Sequence, residues 1–99
     1  MLFAILASDI EPNGLAIREA TKDKHLDYIR SLGDKIKIAV PLMMDDGSSP
    51  KETILVVSSA SIEEARIIAE KDPYAQVGLF DRVRVRSRNW TVGNPENAK

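Results

Sequence analysis

The chain has no cysteine, one histidine and one tryptophan among its 99 residues. The lack of cysteine removes disulfides, thiolate nucleophiles and cysteine-bound zinc, and it fits a reducing compartment. A single histidine without cysteine offers no zinc ligand set either. Aromatic residues make up only 5% of the chain, which leaves few rings to stack on nucleic-acid bases. Neither sign of charge dominates: 14 basic and 15 acidic side chains give a formal net charge of −1. Overall basicity therefore recruits neither nucleic acid nor an anionic membrane. No apolar run approaches the ~18 residues that cross a bilayer. The apolar start, MLFAILASDIEP, has no basic segment before it and is not read as a signal peptide. No glycine-rich phosphate loop is present, so no nucleotide cofactor is expected, nor any other cofactor. The expected location is the cytoplasm.

What remains is the composition of a small globular domain, 43% hydrophobic and 29% charged. A chain of this length buries roughly 60–70% of its unfolded surface as one domain. The domain is read over residues 1–92, with 93–99 as a frayed polar tail. Leu2 to Ala7 is short and uniformly apolar, which suggests a strand buried on both faces. After the turn residues EPNG at 11–14, Leu15 to Leu32 carries helix formers with Leu26, Ile29 and Leu32 in one stripe, and Gly33 follows as a stop. Ile36 to Met43 reads as a strand, DDGSSP at 45–50 as a loop, and Thr53 to Ser59 as a third strand.

Ser61 and Glu64 have the spacing of a capping box and open a second helix through Ile62, Ala65, Ile68 and Ala69. Pro73 ends it, because a residue before proline disfavours helical dihedrals. A short helical turn is expected at Tyr74 to Val77, then a strand from Phe80 to Trp90 that alternates around Val83 and Val85. The order β-α-β-β-α-β predicts an α+β fold of ferredoxin-like type with a four-stranded antiparallel sheet. Two helices cover one face of such a sheet. The first three strands are apolar on both faces, so a homodimer packed through the open face is expected.

His25 borders the stripe on the first helix. Asp72 lies three, four and seven residues beyond Ala69, Ile68 and Ala65, so it falls on the inner side of the second helix if extended by one turn. Both helices pack on the same sheet face, and the two groups are expected to meet. A carboxylate on one imidazole nitrogen fixes the tautomer and leaves the other nitrogen for a proton. The competing account is a packing histidine and a helix-ending aspartate, which together would make a structural contact in a non-catalytic ligand-binding or accessory dimer. Arg18 shares the helix face of His25 and is either an anion-binding group or a solvated side chain. Tyr74 is either a hydrogen-bond donor to a ligand or a packing residue.

Arg82, Arg84, Arg86 and Arg88 project from one face of the last strand. That row offers an RNA platform as a third reading. The aliphatic central strands and the scarce aromatics argue against it, and charge on an edge strand also prevents edge-to-edge pairing. No nucleic-acid and no membrane partner is expected. Asp45 and Asp46, adjacent in a loop, do not make a metal chelate by themselves, and no metal site is expected.

The segments MLFAILASD, KHLDYIRSL with Arg18 upstream, and SIEEARIIAEKDPYAQVGLFDRVRVRSRNW resemble the YciI-like (YCII-related) family. The stretch A-x6-DPY-x3-G-L-F with the upstream histidine is the most specific part. The resemblance implies a dimeric α/β barrel and maps the family's proposed catalytic pair onto His25 and Asp72. It adds Pro41 and Gly78 to Arg18 and Tyr74 as expected substrate-binding positions, with Gly78 also explicable as a backbone requirement. Activities in the family include dehydrochlorination of a chlorinated hydroquinone. Members usually carry Gly-Pro at the end of the second strand, whereas this chain has Val40-Pro41, which implies a reshaped pocket. The function expected is cofactor-free acid–base chemistry, an elimination or isomerisation, on a small cyclic or aromatic ligand.

Overall fold

The computed structural model describes residues 1–87 and 92. The expectations for Arg88 to Trp90 and for the tail at 93–99 lie outside the described residues. Four strands are present: β1 (Leu2–Asp9), β2 (Ile36–Met43), β3 (Pro50–Ser58) and β4 (Phe80–Ser87). They form one sheet of order β2-β3-β1-β4, antiparallel at every pairing. The helices are α1 (Gly14–Ser31), α2 (Ile62–Lys71) and the one-turn α3 (Pro73–Gln76), with a 3₁₀ turn at Gly33–Lys35. This is the ferredoxin-like α+β arrangement that the order of elements predicts.

Two strands run beyond their expected limits. β1 continues to Asp9, and β3 begins at Pro50, inside the expected loop. Both extensions matter, because strand alternation then carries polar residues onto the helix-covered face. Phe3, Ile5 and Ala7 point to that side, and Asp9 follows in phase. On β3, Leu55 and Val57 do the same, with Thr53 in phase before them. The register pairs Phe3 with Val57, Ile5 with Leu55 and Ala7 with Thr53.

The core forms where these side chains meet α2 and β4: Phe3, Ile5, Leu55, Val57, Ala65, Ile68, Ala69 and Val85. α2 starts as its sequence requires. Ser61 Oγ accepts from the Glu64 amide at 3.2 Å, and Glu64 Oε2 accepts from the Ala60 amide at 2.9 Å, one residue earlier than in the usual box. α1 ends at Gly33, whose φ of +55° suits a residue with no Cβ.

The buried face of α1 is not the expected Leu26–Ile29–Leu32 stripe extended backwards. Its buried residues are Gly14, Arg18, Thr21 and His25, at successive helical spacings of three and four. Leu26 and Ile29 are only half-buried. The first half of the helix thus turns a polar edge inward.

The opposite face of the sheet carries Leu2, Ala4, Leu6, Ile54 and Val56 on the central strands. Leu2, Ala4 and Val56 are already buried in the single chain, while Leu6 and Ile54 are half-buried. Exposure concentrates on the edge strand β2, at Val40 and Leu42, which are 43% and 37% accessible. Arg82, Arg84 and Arg86 pair with Ser8, Leu6 and Ala4, which places them on this same face along the other edge. Among the described residues no helix is long and apolar enough to cross a membrane.

Candidate active site

The junction between α2 and α3 is built around Asp72. Pro73 stops α2, and its fixed φ suits the first position of α3. Asp72 therefore closes one helix and caps the next: its Oδ1 accepts from the Tyr74 amide at 2.9 Å. The same Oδ1 lies 2.8 Å from His25 Nδ1. An ionised carboxylate can only accept, so Nδ1 carries the proton and Nε2 is the basic nitrogen. The His25 side chain is 10% exposed and that of Asp72 1%.

Asp72 Oδ2 is the one buried side-chain polar atom without a partner among the described residues. His25 Nε2 also has no hydrogen bond there, yet it is not sealed. His25 lines a cavity of about 340 Å³.

Tyr74 lies flat against the imidazole, with ring centroids 4.1 Å apart and planes 13° from parallel. Phe80 meets Tyr74 in a T-shaped contact, with centroids 5.9 Å apart. The Arg18 guanidinium carbon sits 4.9 Å from the Tyr74 centroid, within cation–π range. Arg18 is held from behind. Its Nε donates to Asp9 Oδ2, and Nη2 donates to Asp9 Oδ1 and to Thr53 Oγ1, all at 2.8 Å. Burial alone would weaken the guanidinium's hold on its proton, but the hydrogen bond and charge of Asp9 more than offset that, and its pKa stands above the ordinary value.

Burial likewise pushes the Tyr74 phenol above its ordinary pKa. Arg18 opposes this and the Asp72 charge reinforces it. Tyr28, which donates to the Ile68 carbonyl at 2.8 Å, is raised by burial and by Asp72. Both phenols are thus neutral donors at neutral pH. Their raised pKa values stabilise the fold below about pH 10, and that contribution is lost as pH rises from there through the folded-state values. A denaturation series should show stability falling above pH ~10, with a smaller fall in Tyr74→Phe.

The cavity lies between α1, β2, β3 and α3. Arg18, His25, Thr53 and Tyr74 form its polar wall, and Leu26, Ile29, Ala39 and Pro41 are among its apolar residues. Four of the six expected positions thus border one hollow: Arg18, His25, Pro41 and Tyr74. Asp72 stands behind His25. Gly78 does not line the cavity; it turns the chain between α3 and β4 at φ +78°. Val40, which stands where the usual glycine would, also borders the cavity, although its pairing with Ile54 turns its side chain to the opposite face of the sheet.

Asp9 and Thr53 escaped the reading of the sequence. Their signal is alternation, since each continues the inward phase of its strand. Gly14 makes room for the first of them, because a Cβ there would lie 3.1 Å from Asp9 Cβ. Gly14→Ala should therefore destabilise by about 1 kcal/mol, a melting temperature lower by ~4–8 °C, despite alanine's better helix propensity. Among the described residues no three His, Asp or Glu side chains cluster as metal ligands.

Comparison with known proteins agrees with the fold. Among solved structures, 5-chloro-2-hydroxyhydroquinone dehydrochlorinase from Burkholderia phenoliruptrix, in complex with 2,5-dihydroxybenzoquinone, is 28% identical. It superposes with a TM-score of 0.79 over 94% of this chain and 96% of its own. A putative antibiotic biosynthesis monooxygenase from Nitrosomonas europaea shares the fold at 17% identity and a TM-score of 0.50, over 93% of this chain and 92% of its own. No curated protein matches the chain significantly. The YCII-related domain matches residues 1–90, and the chain therefore belongs to the YCII-related family.

Proposed function

We propose that the protein is a cofactor-free enzyme in which His25 moves a proton on a small hydroxylated ring compound. The observation that carries this reading is the His25 Nδ1–Asp72 Oδ1 contact of 2.8 Å beside a cavity of about 340 Å³. Asp72 holds the imidazole so that Nε2 is the proton acceptor. The ring substrate enters over the apolar wall, and the Tyr74 phenol is a donor to its oxygen. Similarity to a dehydrochlorinase over nearly the whole of both chains supports loss of halide as one outcome, with isomerisation as another.

In the elimination, Nε2 takes a ring-hydroxyl proton, and the electron pair moves into the ring. A proton returned to carbon gives the keto form, and departure of H⁺ and Cl⁻ leaves a quinone. No electron acceptor is required. The test is chloride release from a chlorinated hydroxyhydroquinone, together with deuterium uptake from heavy water into an unhalogenated analogue. Neither chloride nor deuterium above the uncatalysed rate would end the proposal.

A second reading is favoured by the low exposure of the pair, which ties α1 to the α2–α3 junction. Here the contact is structural, and the protein binds a ligand without changing it. Either way, a second copy covering Leu6, Ile54, Val40 and Leu42 completes the proposed assembly. Sedimentation should give the mass of two 11.0 kDa chains; a single-chain mass at micromolar concentration would refute the dimer.

A further inference from the structure

Arg18 is the cation in the polar wall of the cavity, and an arginine there would ordinarily receive a carboxylate or phosphate in bidentate fashion. The Nε–Nη2 side of its fork is already filled, which leaves Nη1 for a single, end-on contact. Nε and Nη2 both point at Asp9, with Nη2 also on Thr53. The side chains of Asp9 and Arg18 are only 5% and 8% exposed, so water screens the pair little.

Asp9 does not border the cavity. It lies behind Arg18, toward a second hollow that it lines with Glu11 and Glu52, and an incoming ligand cannot readily displace it. Counted together, Asp9, Arg18, Asp72 and a neutral His25 carry one net negative charge, and none once His25 is protonated. The exposed Glu19 and Lys22 also line the cavity and add one charge of each sign. A ligand that arrives as an anion finds no unpaired cation on the polar wall. A ligand that arrives neutral and gives its proton to His25 becomes an anion beside an imidazolium, with the charge of the whole site unchanged.

We infer that Asp9 is a specificity-determining residue. By neutralising Arg18 it makes the cavity select an uncharged weak acid, a phenol or enol, over a carboxylate or phosphate. This rests on the reading of the cavity as the place where His25 takes a proton. It goes further in assigning the choice of ligand charge to a residue that touches neither the ligand nor His25. The Cβ of Gly14 that is missing beside Asp9 is the packing counterpart of that assignment.

The test uses three ring probes at pH 7: hydroquinone and benzamide, both uncharged, and benzoate, which has the shape of benzamide and a full negative charge. Binding to the whole chain is followed by NMR through the His25 ring protons. For the natural sequence, hydroquinone and benzamide should each bind at least about tenfold more tightly than benzoate. In Asp9→Asn the guanidinium is freed from its counter-charge, and the benzamide-to-benzoate preference should fall by about ten- to a hundredfold, through tighter benzoate.

Benzoate binding as well as benzamide in the natural protein, an unchanged preference in Asp9→Asn, or no binding of any probe would each overturn the inference. Should Asp9→Asn fail to fold, the benzamide-to-benzoate ratio of the natural chain decides alone. A preference for benzoate would leave the role of His25 standing, because that role is judged by turnover and not by ligand charge.

Discussion

His25→Gln is expected to lower turnover by about 10²- to 10⁴-fold while the melting temperature stays within a few degrees of the natural protein. The glutamine amide retains an N–H that can meet Asp72 Oδ1, so the contact between α1 and the α2–α3 junction survives. What disappears is the basic nitrogen of a ring that lines the cavity. Initial rates of halide release, measured beside thermal denaturation of the same preparation, separate the two accounts of the histidine. If the pair is structural, His25→Ala lowers the melting temperature and changes no chemistry. Undiminished turnover in His25→Gln would remove the histidine from the mechanism.

Asp72→Ala should be the most damaging single change at the site, with a loss of about 2–4 kcal/mol in stability. The α3 cap is worth ~1 kcal/mol. That cap is the Tyr74 amide bond; the buried His25 Nδ1 donor loses its acceptor as well, at roughly 1–3 kcal/mol. Some of that is offset, because Oδ2 has no partner in the folded protein and its burial is unfavourable. For a domain of this size the melting temperature should fall by about 10–25 °C. Asp72→Asn keeps an oxygen for the Tyr74 amide but loses the charge. It should fold nearly as well and still turn over poorly. Urea denaturation of the two variants decides the point: a loss below 0.5 kcal/mol for Asp72→Ala would show that the capping and pairing bonds add little.

Much of this was legible in the sequence because local signals agree with the fold. The alternation around Val83 and Val85, the Ser61–Glu64 spacing and the break at Asp72-Pro73 each identify an element without knowledge of its neighbours. The meeting of His25 and Asp72 follows from helical spacing once both helices share one sheet face. The rest is hidden because an apolar pattern does not reveal a face that is polar in part. Gly14, Arg18, Thr21 and His25 form the buried edge of α1, yet none is a strong hydrophobe, so hydropathy points to Leu26, Ile29 and Leu32 instead. Asp9 and Thr53 sit where a strand's inward phase changes from hydrophobic to polar, and hydropathy alone reads that change as the end of the strand. Places where local rules fail in this way are where a binding site is expected.

The single Oδ1 atom of Asp72 that caps α3 also fixes the tautomer of His25. Pressure for heat tolerance and pressure for reactivity consequently fall on one atom. Position 72 has little room to drift: a neutral replacement would have to supply both an anchor for a peptide amide and a partner for an imidazole. An asparagine keeps the oxygen that accepts both bonds but not the charge that strengthens the imidazole as a base.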